Sequence, residues 1–209
     1  MMKVLVITGG IGSGKSEVCR ILARNGLKAQ YNADSKVKEL YSSVPGLVDA
    51  IEERIGCSLR DEAGNFVPSL LAGRIFSDRE ALEAVESLVF PQLVADFRRF
   101  AEGSGESIVV FESATILEKP QFEGFGDKVI LVDAPVQLRL ERAAARDGAG
   151  EESVRSRMAN QKYMNALSDG ASDSRVDAVV INDGSIGDLE VKVDEIMSGL
   201  FGDWRKEIV

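Results

Sequence analysis

A glycine-rich octapeptide stands directly after the first apolar run of this chain. The run is Lys3–Thr8, and the octapeptide reads Gly9-Gly10-Ile11-Gly12-Ser13-Gly14-Lys15-Ser16. It matches the pattern G-x-x-x-x-G-K-[ST], in which glycines let backbone N–H groups turn inward around a phosphate chain. A helix predicted over Lys15–Asn25 would direct the positive end of its dipole at the same phosphates. This order of strand, loop and helix restricts the fold to the α/β class.

Lys15 and Ser16 carry the chemistry that this loop predicts. Lys15 is expected to reach the β- and γ-phosphates of a nucleoside triphosphate, and the Ser16 hydroxyl is expected to bind Mg²⁺. The other predicted phosphate contacts are Gly10, Ile11, Gly12, Ser13 and Gly14. A glycine-rich turn without a ligand is the alternative, and the flanking strand and helix disfavour it.

Four further apolar runs predict strands. They are Lys28–Asn32, Ser107–Glu112, Lys128–Asp133 and Ala178–Asn182. Several are continuous in Val, Ile and Leu, as in parallel strands that are covered on both faces. We therefore expect an α/β fold of the P-loop NTPase type, with a doubly wound, parallel, five-stranded sheet and a closing helix over Ile186–Leu200.

Two segments interrupt this pattern and predict the domain organisation. An inserted helical domain is expected at about 35–104, and a lid at about 138–175, which leaves the nucleotide core at about 1–34, 105–137 and 176–209. The longest helix of the insertion is predicted over Asp78–Glu102, with a capping box at Ser77–Glu80 and a kink or an end near Phe90, before Pro91. Gly148–Arg175 is predicted to be an irregular, mobile excursion.

Composition excludes several classes of function. The chain has no histidine, so His-based catalysis and His-ligated metal sites are absent, and its net charge of −9 disfavours nucleic-acid binding. No apolar run reaches the roughly 18 residues of a membrane-spanning helix. With two cysteines and no signal-peptide pattern, the expected compartment is the cytoplasm. The switch and base-reading motifs of GTPases are also absent, and the size suits a small-molecule kinase.

Asp34 follows the second predicted strand. Ligands of doubly wound sheets bind beyond the carboxyl ends of the strands, so this carboxylate is placed to accept the proton of an acceptor hydroxyl or to orient it. From position alone, the N-cap of a helix over Ser35–Tyr41 is an equally good interpretation. Glu112 and Glu118 are candidates for the outer shell of Mg²⁺, whereas a turn and helix cap is favoured for Asp133.

Three arginines share one face of the helix predicted after the fourth strand. Arg142 and Arg146 are expected to stabilise the charge of a transferring phosphoryl group from a closing lid, and Arg139 less so. The alternative is a solvated face with ordinary ion pairs. Asn182, at the end of the last predicted strand, is a candidate contact for the nucleotide base, although Asn-Asp-Gly is first of all a turn signal.

In these residues the chain resembles the dephospho-coenzyme A kinase family. The resemblance covers most of the length and rests on an ordered series of segments: Thr8–Ser16, Asn32–Ser35, Glu112–Glu118, Gln137–Gly148, Gln161 and Val180–Gly184. It departs from the family pattern at Asn32, at Phe90, in the segment Ala114–Leu117 and between Gln161 and Val180. The phosphate loop itself is intact.

The resemblance implies a function as well as a fold. It implies ATP and Mg²⁺ as cofactors, dephospho-coenzyme A as the small-molecule substrate, and transfer of the γ-phosphate to its ribose 3′-hydroxyl. It makes Asp34 the catalytic aspartate and Arg142 and Arg146 the lid arginines, with the helical insertion as the acceptor-binding domain. The alternatives are a kinase for another nucleoside or small hydroxyl acceptor, or a non-catalytic nucleotide-binding protein. A monomer or weak homo-oligomer without nucleic-acid or membrane partners is expected.

Overall fold

Five short segments form one parallel sheet in the order β2-β3-β1-β4-β5 in a computed structural model that describes residues 2–206. The strands are β1 Lys3–Thr8, β2 Gln30–Asn32, β3 Ile108–Glu112, β4 Lys128–Asp133 and β5 Ala178–Ile181. The central strands β1 and β3 are almost wholly buried, because both of their faces carry branched apolar side chains. The predicted α/β fold with a five-stranded parallel sheet is confirmed.

Nine helices are found within residues 2–206, and the chain divides into two compact units. The helices are α1 Lys15–Arg24, α2 Ala33–Ser43, α3 Leu47–Ile55, α4 Pro68–Ser77, α5 Arg79–Ser104, α6 Val136–Asp147, α7 Glu151–Ala159, α8 Lys162–Ser168 and α9 Ile186–Phe201. One unit comprises the chain up to Asn32 and from Ser104 onward, and the other comprises Ala33–Gly103. Short 3₁₀ turns lie at Ile116–Glu118, Pro120–Phe122 and Trp204–Lys206.

The main core of the first unit joins α1 and α9 to the sheet. It contains the buried side chains of Leu5, Ile7, Leu22, Ile130 and Met197, among others. An aromatic group that includes Tyr31, Phe111, Phe122 and Phe125 extends the apolar packing around β2 and β3. Burial of this apolar surface holds the strands in register, so that the loops at their carboxyl ends have fixed positions.

The long helix of the second unit differs from its prediction in two ways. An end near Phe90 is wrong, because α5 continues through Pro91. Buried side chains recur every four residues on both sides of the proline, at Val85, Val89, Leu93, Phe97 and Ala101. Packing of this stripe outweighs the hydrogen bond that Pro91 cannot donate. The capping box is also wrong, since Asp78 Oδ1 accepts the bond from the N–H of Ala81.

The segment Gly148–Arg175 is helical where an irregular excursion was predicted. It contains α7 and α8, and its polar composition conceals a few well-spaced apolar residues. Val154 and Met158 pack with Leu140 and Ala143 of α6 in a small separate core. A stripe of two residues on a short helix is too weak a periodic signal to be read without knowing its partner. No helix within residues 2–206 has the length and hydropathy that crossing a membrane requires.

Candidate active site

The glycine-rich octapeptide forms the predicted loop between β1 and α1. Gly12 and Gly14 have φ angles of 75° and 103°, which are left-handed conformations that favour glycine. Gly14 is the N-cap of α1, so the free N–H groups of the first helical turn border the loop. Lys15 folds back across the loop, and its Nζ donates hydrogen bonds to the carbonyl oxygens of Gly9 (2.9 Å) and Gly10 (3.3 Å).

A buried carboxylate connects the helix start to two strand ends. Ser16 Oγ donates a hydrogen bond of 2.7 Å to Oε1 of Glu112, the last residue of β3. Asn32 Nδ2, at the end of β2, donates one of 2.8 Å to Oε2 of the same carboxylate. Three oxygen-bearing side chains, those of Ser16, Asn32 and Glu112, therefore meet beside the phosphate loop.

Burial and the neighbouring Glu112 both raise the pKa of the Cys19 thiol well above its usual value, so this cysteine stays a neutral thiol.

Asn182 bonds to the loop at Ser13, and Arg142 bonds to Asn182. Asn182 Nδ2 donates a hydrogen bond of 3.0 Å to the carbonyl oxygen of Ser13. Arg142 Nη1 in turn donates one of 3.0 Å to the carbonyl oxygen of Asn182. The structure thus links Arg142 to the loop through Asn182. The Asn182 side chain supports the loop, and its contact with a nucleotide base stays a prediction.

Arg139, which the sequence favours less than Arg142 and Arg146 for a role in the site, contacts the loop directly. Its side chain is fully buried, and its Nε donates a hydrogen bond of 3.1 Å to the carbonyl oxygen of Ile11. The helix-cap interpretation of Asp133 is wrong. Its carboxylate accepts a hydrogen bond of 2.9 Å from Ser168 and lies 3.5 Å from Nη1 of Arg139, while α6 begins after Pro135 without a side-chain cap.

Arg146 takes part in an exposed ion-pair cluster, and Asp34 lies in the first turn of α2. Arg146 is exposed, and its Nε donates a hydrogen bond of 2.7 Å to Asp147, which also pairs with Arg157. These two guanidinium groups hold the pKa of Asp147 well below its usual range. Asp34 belongs to the second unit, and the N-cap interpretation is wrong because α2 already begins at Ala33.

Three buried polar groups near the loop have no hydrogen-bond partner within residues 2–206. They are Thr8 Oγ1, Ser13 Oγ and Arg139 Nη2. Buried polar atoms are normally satisfied by hydrogen bonds, so a group of unsatisfied atoms beside a glycine loop fits a polyanionic ligand.

Glu118 ends the 3₁₀ turn after β3. Sequence reasoning also missed a role for Gln161, whose Oε1 accepts a hydrogen bond of 2.7 Å from the N–H of Ile11.

Comparison with known proteins connects this geometry to a family. A family model described as dephospho-CoA kinase matches residues 3–188. The chain belongs to the dephospho-CoA kinase family. The activity of that family is ATP-dependent phosphorylation of dephospho-CoA in coenzyme A biosynthesis, and membership makes this chain a transferase.

Individual relatives agree with this membership. The chain is 39% identical over 175 residues to the dephospho-CoA kinase of Porphyromonas gingivalis, with 84% of this chain and 85% of the relative covered. It is 34% identical over 202 residues to that of Chlorobaculum tepidum, with 93% of each covered.

Solved structures share the fold. TT1252 from Thermus thermophilus is 28% identical with a TM-score of 0.78, over 96% of this chain and 99% of that one. A dephospho-CoA kinase from Campylobacter jejuni is 20% identical with a TM-score of 0.62, over 96% and 98%. The second likeness concerns the fold alone.

Proposed function

We propose that this chain transfers the γ-phosphate of ATP to the ribose 3′-hydroxyl of dephospho-CoA, releasing CoA and ADP, and that Lys15, Asp34, Arg142 and Arg146 carry the reaction. The observation that supports it best is the phosphate loop, with its left-handed glycines, the start of α1 and Lys15 in one place. Inward N–H groups and one flexible cation suit a triphosphate chain. Gly10, Ile11, Gly12, Ser13, Gly14, Lys15 and Ser16 are the residues that we assign to it.

Lys15 is the cation that the loop itself supplies to the site. The carbonyl oxygens of Gly9 and Gly10 accept hydrogen bonds from its ammonium group. Because these acceptors are neutral, they bind the ammonium group less strongly than phosphate oxygens would. Exchange of these partners for phosphate oxygens would give stronger, charge-assisted bonds. In phosphoryl transfer such a cation stabilises negative charge that grows on the β- and γ-phosphate oxygens.

Ser16 and Glu112 fit a magnesium site. Mg²⁺ prefers oxygen ligands and retains several waters, so one hydroxyl with a nearby carboxylate suffices on the protein side. Ser16 Oγ would hold the ion, and Glu112 would orient that hydroxyl and the surrounding waters through the bond it accepts at 2.7 Å. When bound, the ion neutralises charge on the triphosphate. Asn32 fixes the second carboxylate oxygen of Glu112.

Asp34 is our candidate for the group that receives the proton of the acceptor hydroxyl. It is exposed and lies two residues after Asn32, whose side chain bonds to Glu112 at the end of the neighbouring strand. A carboxylate that accepts or orients the hydroxyl proton raises the nucleophilicity of the oxygen. The family resemblance supports the same assignment.

Arg142 and Arg146 are proposed to act from α6 on the transferring group. Arg142 bonds to the carbonyl oxygen of Asn182, whose side chain bonds to Ser13, so its guanidinium group is linked to the proposed phosphate loop through one residue. Arg146 lies one turn further along α6 and pairs with Asp147. Guanidinium donors can stabilise charge on the equatorial oxygens of the transferred phosphoryl group.

The remaining assignments concern the organisation of the protein. We propose that the helical unit around 35–104 binds the acceptor, that about 138–175 acts as a lid, and that Asn182 contacts the adenine. We further propose a cytoplasmic enzyme that is a monomer or weak homo-oligomer. Both cysteines are free, which agrees with a reducing compartment.

Phosphorylation of purified acceptors tests the proposal. ADP release is measured with ATP and Mg²⁺ against dephospho-CoA, adenosine, shikimate and a no-acceptor control, and the phosphorylated position is determined by NMR. We expect ADP release that depends on dephospho-CoA, with phosphate on the 3′-oxygen. Lys15→Ala should lose most of this turnover, while the exposed Lys38→Ala should retain it. Turnover with another acceptor only, or nucleotide binding without turnover, would reject the proposal.

A further inference from the structure

The tip of the phosphate loop is held from both sides by residues of the 138–175 segment. Gln161 Oε1 accepts a hydrogen bond of 2.7 Å from the backbone N–H of Ile11. Arg139 Nε donates one of 3.1 Å to the backbone carbonyl oxygen of the same residue. Two consecutive peptide groups of the loop are therefore fixed by side chains that lie far from it in sequence.

Packing reinforces these two hydrogen bonds. The Ile11 side chain packs against the small core of Leu140, Ala143, Val154 and Met158. A Cβ atom on Gly10 would collide with the guanidinium group of Arg139, and one on Gly12 would collide with the carbonyl oxygen of Arg139. At Gly12 the backbone of α6 leaves no room for a side chain, and at Gly10 a side chain would displace the buried guanidinium group of Arg139.

The charge of Arg139 is buried directly behind the loop. Its side chain is 0% exposed, and Asp133 is its ion-pair partner at 3.5 Å. Nη1 donates a hydrogen bond of 3.2 Å to Ser168 Oγ, whereas Nη2 faces Gly10 without a hydrogen-bond partner in the described part of the chain. A buried cation is poorly screened by solvent, so Arg139 contributes positive potential at the loop, which the charge of Asp133 offsets in part.

We infer that Arg139 and Gln161 are positioning residues for the bound triphosphate: they hold the peptide groups of Ile11 so that the loop presents its N–H groups without reorganisation. This inference rests on the proposed nucleotide site and adds two residues to it. A loop that is organised before binding spares the ligand the free-energy cost of ordering it. We expect the benefit to fall on phosphate binding, because both side chains bond to the backbone of the loop.

Nucleotide binding by the full chain tests this inference through the ratio of two affinities. Titration calorimetry with ADP and with AMP compares a ligand that has a β-phosphate with one that lacks it. In Gln161→Leu we expect the Kd for ADP to rise about tenfold, since a hydrogen bond to the loop is lost. The Kd for AMP should change less than about twofold. Gln137→Leu, at an exposed glutamine of α6, is the matched control and should change neither.

Variants of Arg139 separate charge from geometry. Arg139→Met removes the charge and the guanidinium hydrogen bonds, and it should raise the Kd for ADP by at least about tenfold. Arg139→Lys keeps the charge, so its Kd for ADP should lie between those of Arg139→Met and the wild type. Arg155→Met, at an exposed arginine of α7, is the matched control. In a variant that combines Gln161→Leu with Arg139→Met, the loss should be smaller than the product of the single losses, because both side chains hold Ile11.

Several outcomes would overturn the inference. An unchanged ratio of the two affinities in folded Gln161→Leu would leave these contacts with a structural role only, visible as a lower Tm. Tighter ADP binding would mean that the contacts restrain the loop from binding. If Arg139→Met fails to fold, the affinity ratio of Gln161→Leu tests the inference by itself. Gln161 is only half-buried, so we expect this variant to fold. Wild-type protein that binds ADP but does not phosphorylate dephospho-CoA would reject the proposed function and leave this test intact.

Discussion

Ser16 and Glu112 are joined by a hydrogen bond of 2.7 Å across 96 residues of sequence. Glu112 is the last residue of β3, and Ser16 is the second residue of α1. The pairing of β1 with β3 places Ile7 beside Glu112 and so brings the start of α1 to this carboxylate. The sheet topology therefore completes a proposed magnesium site that the loop motif alone does not contain.

The variant Glu112→Gln tests this pairing. The glutamine would direct an NH₂ group at one of two donors, Ser16 Oγ or Asn32 Nδ2, and would remove the negative charge. We expect the Mg²⁺ concentration for half-maximal ADP formation to rise about tenfold, in line with the effect of outer-shell partners on metal affinity. The measurement is the initial rate as a function of Mg²⁺ at saturating ATP.

Glu123→Gln is the matched control, because Glu123 is exposed and follows the 3₁₀ turn Pro120–Phe122. Its Mg²⁺ dependence should equal that of the wild type. An unchanged Mg²⁺ dependence in Glu112→Gln would show that this carboxylate supports the fold and has no part in metal binding. Removal of Mg²⁺ with a chelator should abolish turnover in every variant.

Asp34→Asn tests the proposed proton acceptor. The amide cannot take up the hydroxyl proton but keeps the size of the side chain, so kcat should fall by about 10²–10⁴-fold while ADP binding is retained. Steady-state kinetics and calorimetry measure the two quantities. Glu39→Gln, at an exposed residue of the same helix, should leave both unchanged. Near-wild-type kcat in Asp34→Asn would remove Asp34 from the chemical step.

Arg142→Gln tests whether α6 acts on the transition state. A guanidinium group that meets the transferring phosphoryl group contributes more to the transition state than to bound ATP, so kcat should fall by about tenfold or more. The KM for ATP should rise by a smaller factor. Arg155→Gln is the control on α7. An effect confined to KM would instead assign Arg142 to ground-state binding through its contact with Asn182.

The features that were predictable from the sequence are those with local signals. The loop Gly9–Ser16 has a fixed spacing, and the strands are continuous apolar runs, so neither depends on a distant partner. The helix α1 follows from the same motif. The roles of the site residues and the domain boundaries were also inferred from the sequence, and they remain predictions.

The features that were missed depend on long-range contacts. Gln161 is 150 residues from Ile11 in sequence, and Arg139 is 128 residues from it. Three arginines at helical spacing look alike in sequence, yet Arg139 is buried and Arg146 is exposed. Asp133 looks like a helix cap until Ser168 is known to reach it. Tertiary packing decides among side chains whose local signals are equal.

A half-buried ionic network gives a prediction about stability and pH. Asp173 pairs with Arg175 at 2.6 Å and accepts a hydrogen bond from the Tyr163 hydroxyl, and Arg175 Nη2 also donates to the carbonyl oxygen of Leu117 at 2.8 Å. Arg175 and Tyr163 hold the pKa of Asp173 well below its usual range. The network joins the end of the 138–175 segment to the turn after β3.

Asp173→Asn should therefore lower the free energy of unfolding at pH 7 by about 1–3 kcal/mol. Because the carboxylate pKa is lower in the folded than in the unfolded chain, its stabilising effect is complete above the unfolded value of about 4 and is lost as the pH falls towards the folded value. Urea unfolding should show a smaller deficit of Asp173→Asn at pH 3 than at pH 7. Asp203→Asn, at an exposed pair with Lys206, should show almost none at either pH. An equal deficit for Asp173→Asn at both pH values would mean that packing, and not the charge of Asp173, stabilises this region.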